Sequence, residues 1–150
     1  MERLKGKTVF ISGGARGLGA EMARLLHSEG ANVMVTDILE DEGHALASDF
    51  ENMTFMAHDV LQEDQWIAAI GATKEAYGGL DVLVNNAGIA HNATTIEETS
   101  YEQWRKVVGI DLDAVFLGCK HGVGLMKESS AGSIINISSI YGIVGSAGQA

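Results

Sequence analysis

Short blocks of consecutive apolar, β-branched residues alternate along the chain with longer stretches where apolar residues recur every three or four positions. Thr8-Val9-Phe10-Ile11 is the first block and reads as a short buried strand. Leu18, Met22, Leu25 and Leu26 follow at i, i+4, i+7 and i+8, the apolar stripe of a helix. Gly30 supplies a C-cap, and residues 31–36 form a second strand that ends in Asp37. Residues 40–50 read as a short amphipathic helix and 53–58 as a third strand delivering Asp59-Val60. A helix over 63–77 carries Trp66, Ile67, Ile70 and Thr73 on one face and stops at Gly78-Gly79. Residues 80–84 form a fourth strand that runs into Asn85-Asn86-Ala87-Gly88.

Ser100-Tyr101-Glu102-Gln103 is a capping box that opens the longest helix. Its stripe runs Trp104, Val107, Val108, Asp111, Leu112, Val115, Phe116, Cys119, Val123 and Met126. Asp111 therefore falls inside an apolar face, where a carboxylate is solvated, paired or functional. Residues 132–137 make a fifth strand that delivers Ser138-Ser139, and 140–150 is a loop of small residues. The fold class this predicts is α/β: one domain, a doubly wound parallel sheet with right-handed crossovers, truncated after the fifth strand.

Candidate chemistry gathers where strands end. Ser12-Gly13-Gly14-Ala15-Arg16-Gly17-Leu18-Gly19 sits on the first strand-to-helix turn. Missing side chains there let backbone approach a ligand, and a helix N-terminus offers N–H groups and partial positive charge to a pyrophosphate. The alternative is a plain tight turn, since glycine alone says only that the backbone is crowded or left-handed. Asp37 lies about 18 residues beyond Gly19. In a βαβ unit such a carboxylate accepts from both hydroxyls of the adenosine ribose and repels a 2′-phosphate. Arg16 pulls the other way, because a guanidinium pairs with a 2′-phosphate; the carboxylate at the strand end favours NAD over NADP. Asp59 either meets an adenine amine or caps the next helix. The two amides of Asn85-Asn86 suit a strand end close to a ligand, bracing neighbouring strands. Ser139 reads either as a donor to a substrate carbonyl or as a loop cap.

Composition narrows the class. The formal net charge of −10 argues against nucleic acid and anionic membranes as partners, since phosphate surfaces call for a basic footprint. An apolar content of 46% with 20% charged residues is that of a soluble globular chain, and a cytoplasmic location is expected. Nothing approaches the ~20 apolar residues of a membrane span. Cys119 is the single cysteine, so it forms no internal disulfide, and with five dispersed histidines no metal cluster is expected. Its place in the helical stripe suggests core packing.

Five motifs in order, at successive strand ends, resemble the short-chain dehydrogenase/reductases: Ser12-Gly13-x-x-x-Gly17-x-Gly19, Asp37, Asp59-Val60, Asn85-Asn86-Ala87-Gly88 and Ile135-Asn136-Ile137-Ser138-Ser139. The wording of the first turn, with Thr36-Asp37-Ile38-Leu39, further resembles the NAD-linked hydroxysteroid and cyclic-alcohol dehydrogenase branch. The resemblance implies an NAD(P)-binding Rossmann-like domain, incomplete over residues 1–150, that moves a hydride between NAD(H) and a secondary alcohol or ketone. It implies that Ser12, Gly13, Arg16, Gly17, Leu18 and Gly19 hold the pyrophosphate end. It also implies that Asp37 holds ribose and that Asp59, Val60, Asn86, Ala87 and Gly88 flank adenosine. Ser139 would polarise the substrate oxygen, and the full-length protein would be a homo-oligomer, dimer or tetramer. Two departures stand out. The family's Tyr-x-x-x-Lys pair is absent; Tyr141 is followed at the fourth position by Gly145. Asp111 stands where the family carries an asparagine holding a relay water, and a carboxylate accepts from water without donating as an amide does. The 150-residue chain alone is therefore expected to be inactive, and its unprotected fifth-strand edge and uncovered long helix are expected to make it poorly soluble. Two alternatives stand beside the oxidoreductase: a non-catalytic NAD-binding or interaction module, and an epimerase or dehydratase of the extended family. Ile140, Tyr141, Val144 and the 89–92 segment suggest an apolar pocket, with His91 facing either substrate or solvent.

Overall fold

The computed structural model describes residues 2–90, 94–129 and 132–145, so His91, Asn92 and the last residues of the closing loop lie outside the described residues. Five parallel strands, β1 (Thr8–Ser12), β2 (Asn32–Asp37), β3 (Met53–Ala57), β4 (Val82–Asn85) and β5 (Ser133–Asn136), form one sheet in the order β3-β2-β1-β4-β5. The helices are α1 (Gly17–Ser28), α2 (Glu40–Ser48), α3 (Glu63–Tyr77), α4 (Tyr101–Val108) and α5 (Ala114–Met126). The predicted doubly wound parallel sheet is the architecture observed.

Alternating side chains on the central strands divide the core into two layers. Val9, Ile11, Val33, Val35 and Val84 face α1 and α2, joining Ala20, Ala23 and Leu46. Phe10, Met34 and Leu83 face the other side, against Trp66, Ala69 and Ile70 of α3 and Ala114, Leu125 and Met126 of α5. Strand order reverses between β1 and β4, whose registers pair Ile11 with Thr36's neighbour Val35 on one side and with Val84 on the other. Ligands of open α/β sheets bind at such a reversal, outside the carboxyl ends of the strands.

Three expected helix faces need correction. In α1, Leu18 and Leu25 are exposed; the buried residues are Gly19, Ala20 and Ala23, with Met22 and Leu26 packing at the margin. The helix lies too close to the sheet for larger side chains on that line. In α3, Ile67 points to solvent, and Trp66, Ala69, Ile70 and Thr73 form the buried face.

The third correction is larger. The expected long helix is interrupted by a π-helical turn, Gly109–Asp113, between α4 and α5. The wider turn changes the phase of the pattern, so the side turned to the sheet carries Ala114, Gly118, Gly122, Leu125 and Met126. Trp104, Leu112 and Phe116 are exposed, and so is Asp111, which therefore is not a buried carboxylate. Small residues are required by contact. A Cβ on Gly118 would strike Asn85 Oδ1 and reach 2.9 Å from the Trp66 ring, and one on Gly122 would lie 2.9 Å from Leu83. Cys119 is half-buried rather than core, with its Sγ 3.5 Å from Asn85 Nδ2. β5 ends the sheet and its four residues are exposed. Among the described residues no helix is long and apolar enough to cross a membrane, and no group of His, Cys, Asp and Glu is placed to hold a metal ion.

Candidate dinucleotide site

A cleft of about 340 Å³ opens at the carboxyl ends of the strands, over the point where their order reverses. Its walls are the β1–α1 turn with Gly13 and Arg16–Gly19, the end of β2 with Asp37–Leu39, the end of β3 with His58–Val60, the segment 86–89 after β4, and Ile110 of the π turn. Four of the five motifs thus converge on one cavity.

The β1–α1 turn shows why its glycines differ in purpose. Gly13 has φ +64°, and a Cβ there would lie 2.7 Å from the Ala87 backbone. Gly19 is closed in by the Gly13 carbonyl and by Asn86 Nδ2, 2.7 Å from where a Cβ would be. These two positions are filled by the protein's own crossing chain. Gly17, at φ +57°, has nothing within 4 Å of a Cβ and opens on the cleft. It is also the first residue of α1, with Arg16 as N-cap and no side chain capping the helix. Its uncapped N–H groups meet the requirement of an anion cradle.

Ser12 does not line the cleft. It is buried, and its Oγ accepts from the Asn86 and Ala87 backbone N–H groups at 3.2 Å each. Asn86 returns the link: its Nδ2 donates to the Ser12 and Gly13 carbonyls at 3.0 and 2.8 Å. Together the two residues weld the ends of β1 and β4. The preceding amide, Asn85, is fully inside and donates to Asn136 Oδ1 of β5 at 2.8 Å. The amides brace the sheet as their spacing suggested, and Asn86 also forms part of the cleft wall.

Asp37 stands half-buried at the end of β2. Its Oδ2 accepts from the Ala15 N–H at 3.0 Å and its Oδ1 from the Leu39 N–H at 3.2 Å. Arg16 is exposed across the turn, and its guanidinium makes no hydrogen bond or ion pair among the described residues. Asp59 does not cap α3, whose N-cap is Gln62; it accepts from the Leu61 N–H at 3.0 Å while facing the cleft. The Val60 carbonyl receives the Trp66 indole N–H at 2.9 Å, which fixes this turn against the core.

His58, like Ile110, is a wall residue that periodicity did not single out. It is buried, its ring is edge-on to Trp66 with centroids 4.4 Å apart, and its Nδ1 lies 3.0 Å from Thr36 Oγ1. Burial pushes the imidazole pKa down to about 4, against the opposing pull of the Asp59 charge. Nε2 has no partner among the described residues. The available signal was position alone: a histidine immediately before the Asp59-Val60 pair at a strand end.

Besides Ser12, two predicted residues lie outside the cleft. Asp111, on the π turn, uses its Oδ1 to accept from the Ile89 N–H at 2.9 Å, tying the segment after β4 to the helix. Ser139 is exposed beyond β5, and its Oγ accepts from the Tyr141 N–H at 3.3 Å, opening a short 3₁₀ turn at Ile140–Gly142.

Known proteins give the same picture. The short chain dehydrogenase family model matches residues 7–150. A 3-alpha-(or 20-beta)-hydroxysteroid dehydrogenase of Mycobacterium tuberculosis is 48% identical over 144 residues, 95% of this chain and 55% of that protein. A trans-4-hydroxycyclohexanecarboxylate dehydrogenase of Sinomonas cyclohexanicum is 46% identical, over 96% of this chain and 59% of its own. An NADP-dependent (R)-specific alcohol dehydrogenase of Lentilactobacillus kefiri is 40% identical, over 96% of this chain and 58% of its own. The chain spans a little over half the length of these curated relatives. A cradle at the reversal of strand order, an acid at the end of β2 and a family match over nearly every residue agree: the chain belongs to the short-chain dehydrogenase family.

Proposed function

We propose that the protein is an NAD-dependent oxidoreductase acting on a secondary alcohol or ketone, cyclic or steroid-like. The observation that carries the cofactor choice is the Asp37 carboxylate, held at the rim of the cleft beside the β1–α1 turn. Each of its oxygens keeps a second lone pair after accepting a backbone N–H, enough to receive the two ribose hydroxyls. A 2′-phosphate in that place would meet a negative charge. Arg16 and the relative named as NADP-dependent argue the other way, but an exposed guanidinium on a flexible stem is a weaker determinant than a fixed carboxylate.

In this reading the N-terminal N–H groups of α1 hold the pyrophosphate, and Asp59, Val60, Ala87 and Gly88 flank adenosine. When bound, the nicotinamide supplies the hydride acceptor or donor. Ser139 presents a hydroxyl whose proton is free to be given to a substrate oxygen. The substrate class is supported by the names of relatives that act on hydroxysteroids and on a hydroxycyclohexane carboxylate. A homo-oligomer is the proposed form of the complete protein, supported by the exposed apolar residues Trp104, Leu112 and Phe116.

Because no Tyr-x-x-x-Lys pair occurs within these 150 residues, binding is the property to test on this chain. Calorimetric titration with NAD and with NADP should show NAD as the tighter ligand. NADP binding equally or more tightly would hand the choice to Arg16, and no binding of either would overturn the reading.

A further inference from the structure

The N–H groups of the β1–α1 turn are divided into two sets. Gly14 donates to the Thr36 carbonyl at 3.0 Å and Ala15 to Asp37 Oδ2 at 3.0 Å, so two consecutive groups are drawn toward the end of β2. The next two, on Arg16 and Gly17, have no acceptor among the described residues and stand at the start of α1. Asp37 is itself held from its other side, since Leu39 donates to Oδ1 at 3.2 Å. The carboxylate is thus a bridge between the loop after β2 and the turn after β1.

From this we infer that Asp37 is a positioning residue for the pyrophosphate cradle as well as a ribose acceptor. By fixing the Ala15 N–H inward, it sets the direction of the following N–H groups and so the shape of the anion site. The inference rests on the dinucleotide reading and adds a consequence that a ribose contact alone does not have. Removing Asp37 should weaken ligands that Asp37 cannot touch.

The test uses 2′,3′-dideoxyadenosine 5′-diphosphate, which carries the phosphates but no ribose hydroxyls, beside ADP and NAD. If Asp37 acts only on ribose, Asp37→Ala leaves the dideoxy ligand unchanged or binds it more tightly, because a negative charge near the diphosphate has gone. If Asp37 shapes the cradle, the same variant binds it about tenfold more weakly, the scale of one lost charge-assisted hydrogen bond. Asp37→Asn, which keeps one acceptor oxygen, should recover part of that loss. Unchanged or tighter binding of the dideoxy ligand by Asp37→Ala overturns the inference.

Amide hydrogen exchange on the unsubstituted chain gives a second reading that no folding defect disturbs. Ala15 should exchange far more slowly than Arg16 and Gly17, and equal rates at the three amides would also overturn it. If the unsubstituted chain binds neither NAD nor ADP, the dinucleotide reading fails, while the exchange pattern still judges the bridge by itself.

Discussion

Asn86 Nδ2 lies 2.8 Å from the Gly13 carbonyl oxygen and 3.0 Å from that of Ser12, so one side-chain amide holds two successive carbonyls of the glycine turn. One of these carbonyls is on a buried residue and the other on a half-buried one, and an acceptor that loses its donor in such a place costs about 1–3 kcal/mol. Asn86→Ala should therefore lose stability of that order and bind NAD less well, because the turn is no longer tied to β4. Asn86→Asp should be worse than alanine, since it sets a carboxylate against two carbonyl oxygens. Urea unfolding and NAD titration of both variants check the order; aspartate tolerated better than alanine would sink the assignment.

How much of this was legible in the residues depends on the kind of signal. Blocks such as Thr8–Ile11 and the strand-end motifs are local, and all five strands fell where the blocks placed them within two residues. Helix faces were less legible. The pattern rule assigns burial to large apolar residues, but α1 and α5 approach the sheet through Ala23, Gly118 and Gly122, which carry no hydrophobic signal of their own. The π turn at Gly109–Asp113 was invisible for the same reason: it is a change of phase imposed by packing, and it moved Asp111 from an apparent core position to the surface. Of the motif residues, Gly13, Arg16–Gly19, Asp37, Asp59, Val60 and 86–88 line the cleft while Ser12 and Ser139 do not, and His58 and Ile110 enter it only through tertiary placement.

Gly13 and Gly17 allow stability and binding to be separated. Both have positive φ, so alanine at either costs about 1–2 kcal/mol in backbone strain. At Gly13 the Cβ also meets the Ala87 backbone at 2.7 Å, so β1 and β4 must move apart and the loss of stability should be the larger. At Gly17 the Cβ meets nothing and projects into open space. Gly17→Ala should lose only that strain, and so melt above Gly13→Ala, while losing most of its NAD affinity. Thermal melts and calorimetry of the pair would refute the division if Gly17→Ala proved the less stable.

Two glycines of α5 make a matched comparison. Gly118→Ala drives a methyl into Asn85 Oδ1 and the Trp66 ring, displacing the amide that joins β4 to β5. Overpacking of this sort costs about 1–3 kcal/mol. Gly124 is exposed in the same helix with nothing within 4 Å of a Cβ, so Gly124→Ala should gain up to about 1 kcal/mol from helix propensity. Opposite signs in denaturant unfolding are expected; a neutral Gly118→Ala would mean that α5 is not seated on Asn85.

His58 makes the fold sensitive to mild acid. Its imidazole is held neutral by burial, with a folded pKa of about 4 against the ordinary 6.5. Between those two values the unfolded chain binds the extra proton and the folded chain does not, so stability rises with pH through that window. The contribution is complete above about pH 6.5 and falls as pH drops toward 4, a loss on the order of 2–3 kcal/mol. Below pH 4 both states are protonated and this group adds no further slope. Carboxylates contribute their own acid sensitivity, so the measurement is a difference: urea unfolding of the unsubstituted chain and of His58→Leu at intervals from pH 4 to 7. The leucine variant gives up the Thr36 hydrogen bond and should start less stable at neutral pH, yet its stability should decline less steeply below 6.5. Parallel curves across the window would show that the histidine titrates normally, and that Trp66 and Phe10 do not exclude water from it.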